Sequence, residues 1–231
     1  MLKNTIINLK ATKKIANALG DLNDQVVYVG GAMVSLYIDD PAAEDVRPTK
    51  DIDITLEIAN VGQLEVLREA LVDRGFIQSA EDDVICRFRY EGIKVDVMST
   101  TEVGWAPANP WFEPGFKVSD KVVIEDVEIR ILPLSYFLAT KFSAFVSRGG
   151  NDPRMSHDFE DIVYLLNYTT NFREQILKSD VEVRGFLKEA FQKILDSRRM
   201  QEAIIGNLYY EDQLPRFQRI IDELKAITNV I

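Results

Sequence analysis

The alternation of apolar and polar positions is sharpest at residues 49–54, where Ile52 and Ile54 are interleaved with Asp51 and Asp53. A period of two predicts a strand, with the isoleucines on the core face and both carboxylates together on the other. Similar texture predicts strands at 25–29, 84–90 and 93–98, a short one beginning at Phe76-Ile77, and a hairpin of 122–124 with 129–132 around Glu125-Asp126. Glu91-Gly92 reads as the tight turn joining 84–90 to 93–98. On 93–98, Val95 and Val97 take the core face, which leaves Lys94, Asp96 and Met98 on the opposite one. Helical spacing appears at Leu9, Ile15, Leu19 and Leu22, predicting an amphipathic helix over 8–22. A second is expected over 32–38, and a third over 61–74, with Leu64, Leu67 and Leu71 on one face and Gly75 closing it.

After Pro133 the period changes to that of helices alone, expected over 134–147, 156–168, 171–178, 180–196, 198–206 and 212–228. Short connections between them predict a helical bundle. The expected architecture is therefore α+β: a mixed β-sheet flanked by helices over 1–133, followed by an α-helical C-terminal domain over 134–231. Residues 104–115 read as an ordered loop rich in proline and tryptophan. Its Trp105, Trp111 and Phe112 suit either a base-stacking platform or burial against the domain.

Composition narrows the function classes. At 231 residues, 46% hydrophobic and 28% charged, the chain has enough material for one large or two small cores. No apolar run has the length of a membrane span, and residues 1–8 lack a signal-peptide core, so a cytoplasmic location is expected. The single cysteine, Cys86, fits a reducing compartment and sits in an apolar pattern that favours packing. Lys and Arg are outnumbered 27 to 37, for a net charge of −10. Long nucleic acids are held by basic surfaces, so general DNA or RNA binding is not expected. A nucleotide carried with its metal, a local contact with an RNA end, or a basic protein partner remains compatible with that charge.

Two carboxylates projecting from one strand face form a hard-oxygen site suited to Mg²⁺ or Mn²⁺, although an isolated Asp-x-Asp also serves as a solvated face. Upstream, the strand at 25–29 runs into Gly30-Gly31 and then an apolar stretch. Glycine permits a sharp turn and close approach to a phosphate, with free amides at the following helix; a plain strand-to-helix turn needs the same residues. Downstream, Asp96 offers a third carboxylate.

These pieces together resemble the nucleotidyltransferase superfamily of DNA polymerase beta type. Thr49-x-Asp51-x-Asp53 with Arg47 just before it is most similar to the bacterial branch of AbiEii-type abortive-infection toxins. Two departures stand out: the polar loop 39–48 makes the Gly-Gly to Asp spacing long, and Ala32-Met33 follows the glycines where many superfamily members carry a serine. Ser35 lies a turn later and is not assigned a phosphate contact.

The resemblance implies transfer of an NMP from an NTP to a hydroxyl acceptor, which would be a tRNA end, a protein or a small molecule. It implies Asp51, Asp53 and Asp96 as catalytic and metal-binding residues for Mg²⁺ or Mn²⁺, with Gly30, Gly31 and Lys141 as nucleotide-binding residues. An antitoxin protein is an implied partner. In the C-terminal half, Lys141 and the Asp158/Asp161 pair match the lysine and the acidic pair of the second half of the toxin-like site, and Arg148 ends the helix that carries Lys141. Asp158 and Asp161 equally suit the acid-favouring start of a helix, and His157, the sole histidine, suits a general base, a cap or a surface position. A competing expectation is a non-catalytic nucleotide-binding or toxin–antitoxin interaction protein.

Overall fold

A computed structural model describes residues 2–148 and 152–229. They fall into two compact units, one of residues up to Ser35 together with Glu44–Pro133, the other of Leu36–Ala43 with the chain from Leu134 onward.

The first unit is built on six strands, β1 (Val26–Val29), β2 (Asp51–Leu56), β3 (Arg87–Tyr90), β4 (Ile93–Ser99), β5 (Asp120–Ile124) and β6 (Val127–Ile131). They form one mixed sheet in the order β3-β4-β2-β1-β6-β5. β1 runs antiparallel to β2 and parallel to β6, while β2 runs parallel to β4. Ile52 and Ile54 are buried to 2% and 0% exposure, and Val95 and Val97 are fully buried beside them. Full burial of each such side chain contributes roughly 1.5–3 kcal/mol. Slipping either strand by one residue would forfeit those contributions and turn Asp51, Asp53 and Asp96 into the core, so the register is strongly specified.

Three helices complete this unit: α1 (Lys3–Leu19), α2 (Val61–Asp73) and α3 (Phe112–Lys117). The first begins five positions before the predicted start, and residues 20–25 continue it as a 3₁₀ turn. Its extension has a tertiary cause. No side chain of its own caps α1, but Asp45 accepts from the amides of Asn4 (2.6 Å) and Thr5 (3.0 Å) and from the Thr5 hydroxyl (3.0 Å). A carboxylate brought in from the loop thus satisfies two of the helix's free N–H groups and complements its dipole.

Elsewhere the expected helix at 32–38 is a 3₁₀ helix over Gly31–Tyr37. The strand expected at 76–77 reduces to one bridge, Ile77 with Arg89, and β3 starts at Arg87 rather than at 84. The turn between β3 and β4 puts both Glu91 and Gly92 at positive φ, 44° and 82°, the mirror-image turn that matches strand twist. Trp111 and Phe112 are buried, and the half-buried Trp105 donates Nε1–H to Glu65 (3.1 Å) beside the Phe88 ring, so packing accounts for all three aromatics.

The second unit is helical: α4 (Leu134–Ser147), α5 (His157–Tyr168), α6 (Phe172–Lys178), α7 (Val181–Asp196), α8 (Arg198–Gly206) and α9 (Gln213–Thr228). Gly149, Gly150 and Asn151, expected at the end of α4, lie outside the described residues. Leu36–Ala43 joins this unit through specific contacts. The Tyr37 ring stacks on Phe137 at 4.5 Å, and Asp39 accepts from the Thr170 amide (2.6 Å) and hydroxyl (2.9 Å).

Candidate active site

The carboxylates lie half-buried on one face of the adjacent strands β2 and β4. Asp53 is the register partner of Asp96 across the parallel β2–β4 pair, and of Val29 across β1–β2. The chain turns at the next residue, Gly30, which has φ +73°. A Cβ placed there would come within 1.8 Å of Asp53 Oδ2 and 2.8 Å of Asp53 Cβ. At Gly31 it would meet Arg47 Nη2 at 2.5 Å and Thr49 Cγ2 at 3.0 Å. Each glycine therefore makes room for a side chain of the Arg47–Asp53 segment: the first for Asp53, the second for Arg47.

That segment is held from α1 as well. The Asn4 side-chain amide donates to Val46 O (2.8 Å), and the Thr49 hydroxyl donates to Asn8 Oδ1 (2.8 Å). With Asp45 capping the helix, α1 fixes the loop at three points just before the Asp51–Asp53 strand begins.

Sequence reasoning missed Arg87. Its Nε donates to Asp96 Oδ1 (2.7 Å), and its Nη2 donates both to Asp96 Oδ2 (2.6 Å) and to Asp51 Oδ2 (3.0 Å). This is a bidentate, charge-assisted fork with a third acceptor, the strongest geometry available to a guanidinium. The hydrogen bond to Asp96 and the charge of Asp51 raise the Arg87 pKa further. A local signal for the pairing existed. Once Glu91-Gly92 is a two-residue turn, Tyr90 must face Ile93, and counting back along both strands sets Arg87 opposite Asp96. Neighbouring Cys86 is buried, and burial, with the nearby Asp96 and Asp53 charges, pushes its thiol up to about 11. Packing is thus its role.

The carboxylates are hard oxygens on one sheet face, the donor type a divalent cation takes, and a single guanidinium nitrogen lies within hydrogen-bond reach of Asp51 and Asp96 together. Among the described residues, no three acidic, histidine or cysteine side chains are gathered tightly enough to hold a metal as they stand. Arg87 offsets the charge of two of the three aspartates.

In the helical unit, Lys141, Asp158 and Asp161 come together as a buried cluster. Lys141 Nζ lies 2.7 Å from Asp161 and 3.7 Å from Asp158, and Arg148 Nη1 closes the chain 2.6 Å from Asp158. Lys141 is 5% exposed and Asp161 2%. Ser156 caps α5 by accepting from the Phe159 amide (3.2 Å). His157 is exposed, with Nδ1 3.1 Å from Glu160, outside that cluster.

The family model of the nucleotidyl transferase AbiEii toxin, type IV toxin–antitoxin system, matches residues 16–225. No curated protein matches the chain. Among solved structures, an antigenic nucleotidyltransferase-like protein from Paracoccidioides brasiliensis is 15% identical, with a TM-score of 0.49 over 89% of this chain and 96% of its own. JHP933 from Helicobacter pylori is 14% identical, with a TM-score of 0.47 over 99% and 94%. A putative nucleotidyltransferase from H. pylori is 12% identical, with a TM-score of 0.45 over 99% and 96%. The family match spans the Gly30-Gly31 turn, the Asp51–Asp53 strand, Asp96 and nearly all of the helical unit, and on that extent this chain belongs to the AbiEii family of nucleotidyltransferase toxins.

Proposed function

We propose that the protein transfers an NMP from an NTP to a hydroxyl acceptor, with Asp51, Asp53 and Asp96 holding Mg²⁺ or Mn²⁺. The observation that carries this reading is the in-register pair Asp53–Asp96 beside Asp51, on one face of two parallel strands next to the Gly30 turn. When bound there, the cation supplies charge neutralisation at the phosphate oxygens and at the leaving pyrophosphate.

The chain's own residues supply the rest. Gly30 and Gly31 let the backbone and Arg47 lie close to the aspartate strand, so a triphosphate meets a positively charged side chain beside the turn. Asp96 is the base proposed for the acceptor hydroxyl. Both of its oxygens accept from Arg87, so it takes a proton only after the guanidinium withdraws. The acceptor oxygen then bonds to the α-phosphorus as the bond to the β-phosphate oxygen breaks, and pyrophosphate leaves. Lys141 is the residue of the helical unit proposed to bind the nucleotide.

The acceptor is a tRNA end, a protein hydroxyl or a small molecule, and the excess of acidic residues favours a compact acceptor over a long nucleic acid. The family description supports an antitoxin partner. Among the described residues, no helix is long and apolar enough to cross a membrane, and we place the reaction in the cytoplasm. Incubating the protein with each α-³²P-labelled NTP, Mg²⁺ and a cell lysate tests the proposal. Label appearing in an RNA, protein or small-molecule fraction, and absent with Asp53→Asn, identifies the acceptor; no labelled product with any NTP refutes the transfer.

A further inference from the structure

Arg87 engages both oxygens of Asp96 and, through the same Nη2, one oxygen of Asp51. Those are oxygens that a shared divalent cation would need. Mg²⁺ holds its ligands at about 2.0–2.1 Å in a near-octahedral shell, which leaves no space for a guanidinium nitrogen between the same atoms. We infer that Arg87 is an internal counter-cation that competes with the divalent metal for Asp51 and Asp96, keeping the site latched until metal displaces it. The inference rests on the metal-dependent reading above.

Three features support a latch over a permanent strut. The Arg87 and Asp96 side chains are each only 14% exposed, so the pair is shielded from water and salt and holds firmly when metal is absent. Arg87 is also the first residue of β3, and β3 is an edge strand. Its long side chain can therefore swing outward by rotation about its own bonds while the β3–β4 ladder stays intact. Finally, a guanidinium stays charged at every working pH. The latch therefore answers to a competing cation and not to protons, and a doubly charged ion outbids a singly charged one for the same carboxylates.

A strut would behave differently. It would use one set of carboxylate lone pairs to aim the others at the metal, so removing it would weaken metal binding.

The test measures Mn²⁺ binding to the full chain without nucleotide, by loss of the free-ion electron paramagnetic resonance signal. Arg87→Gln should bind Mn²⁺ roughly tenfold more tightly than wild type or better, a shift within reach of one lost ion pair. Asp96→Asn should bind little. A second readout uses the unaltered protein labelled with ¹⁵N-arginine. The Arg87 Nε–H resonance, assigned by its absence in Arg87→Lys, should be protected from exchange in metal-free protein and lose that protection as Mg²⁺ is added. If Arg87→Gln does not fold, this measurement decides alone. Equal or weaker Mn²⁺ binding by folded Arg87→Gln overturns the latch while the metal reading stands. So does a protected Nε–H at saturating Mg²⁺. If wild type and variants all fail to bind Mn²⁺, with or without NTP, the metal reading falls and the latch with it.

Discussion

Asp53 and Asp96 are register partners on adjacent parallel strands, although 42 residues that include α2 and the β3–β4 turn lie between them in the chain. Neighbouring strands are about 4.8 Å apart, and side chains in register lean over the same face. Under the proposed function, two carboxylates placed this way would share one cation. We expect Asp53→Asn and Asp51→Asn to lower NMP transfer by orders of magnitude with the far-UV circular dichroism spectrum unchanged, since neither side chain contributes to the core. Incorporation of α-³²P within about threefold of wild type in either variant would remove that residue from the metal set.

The two glycines of the turn should separate cleanly. Gly30→Ala drives a Cβ into Asp53 Oδ2 and holds a non-glycine residue at φ +73°. The backbone strain alone costs about 1–3 kcal/mol, and the displaced carboxylate should abolish transfer beyond that loss of stability. Gly31→Ala meets Arg47 Nη2 first, the far end of a long side chain, so it should be nearly neutral in melting temperature. Thermal melts of the two variants alongside transfer rates check the contrast; equal effects would mean that Asp53 does not depend on the Gly30 cradle.

The resemblance implies Lys141 as a nucleotide-binding residue, and its burial against Asp161 gives it a part in stability as well. Lys141→Ala leaves a buried carboxylate without its cation, which costs roughly 3–5 kcal/mol. Pairing it with Asp161→Asn should recover part of that loss, because the carboxylate that lost its lysine is then neutral. Urea unfolding of both single variants and the double one measures the coupling. The nucleotide role is tested separately, in Lys141→Ala combined with Asp161→Asn, by whether the KM for NTP rises.

Asp45 gives the protein an acid sensitivity. Burial alone would raise its pKa, but the amides of Asn4 and Thr5 and the Thr5 hydroxyl outweigh burial and hold it below its ordinary 3.8. A carboxyl depressed on folding stabilises the native state above its unfolded pKa, and that contribution fades as pH falls through the folded value. Asp45→Asn, which keeps an acceptor oxygen but loses the charge, should therefore cost about 0.3–1 kcal/mol at neutral pH, the usual worth of a charge at a helix N-terminus. The difference from wild type should shrink on the acid side of pH 4. A stability difference that stays constant from pH 7 to pH 3 would show that the charge of Asp45 does nothing for α1.

Periodicity along the chain was enough to determine most of the elements, although not α3, which lies partly within the stretch expected to be a loop, nor the strand expected at 76–77. Ile52 and Ile54 between aspartates, Val95 and Val97 around Asp96, and the leucine stripe of α2 each state which face is buried, because a strand or helix repeats its side-chain direction locally. The β3–β4 turn was legible too, and with it the placement of Arg87 against Asp96, since a two-residue turn leaves one register. What no local pattern could state is which strands become neighbours. That β2 lies between β1 and β4 follows from burying several apolar faces at once, a property of the assembled sheet. Tertiary structure therefore decided that Asp53 would stand beside Asp96, that the Gly30 turn would fold against Asp53, and that Asp45, 40 residues beyond Thr5, would cap α1. It decided the state of Lys141 as well. A lysine on an apolar helix reads the same in sequence whether its amine meets solvent or a carboxylate, and here the packing of α4 on α5 brought Asp161 to it within 2.7 Å.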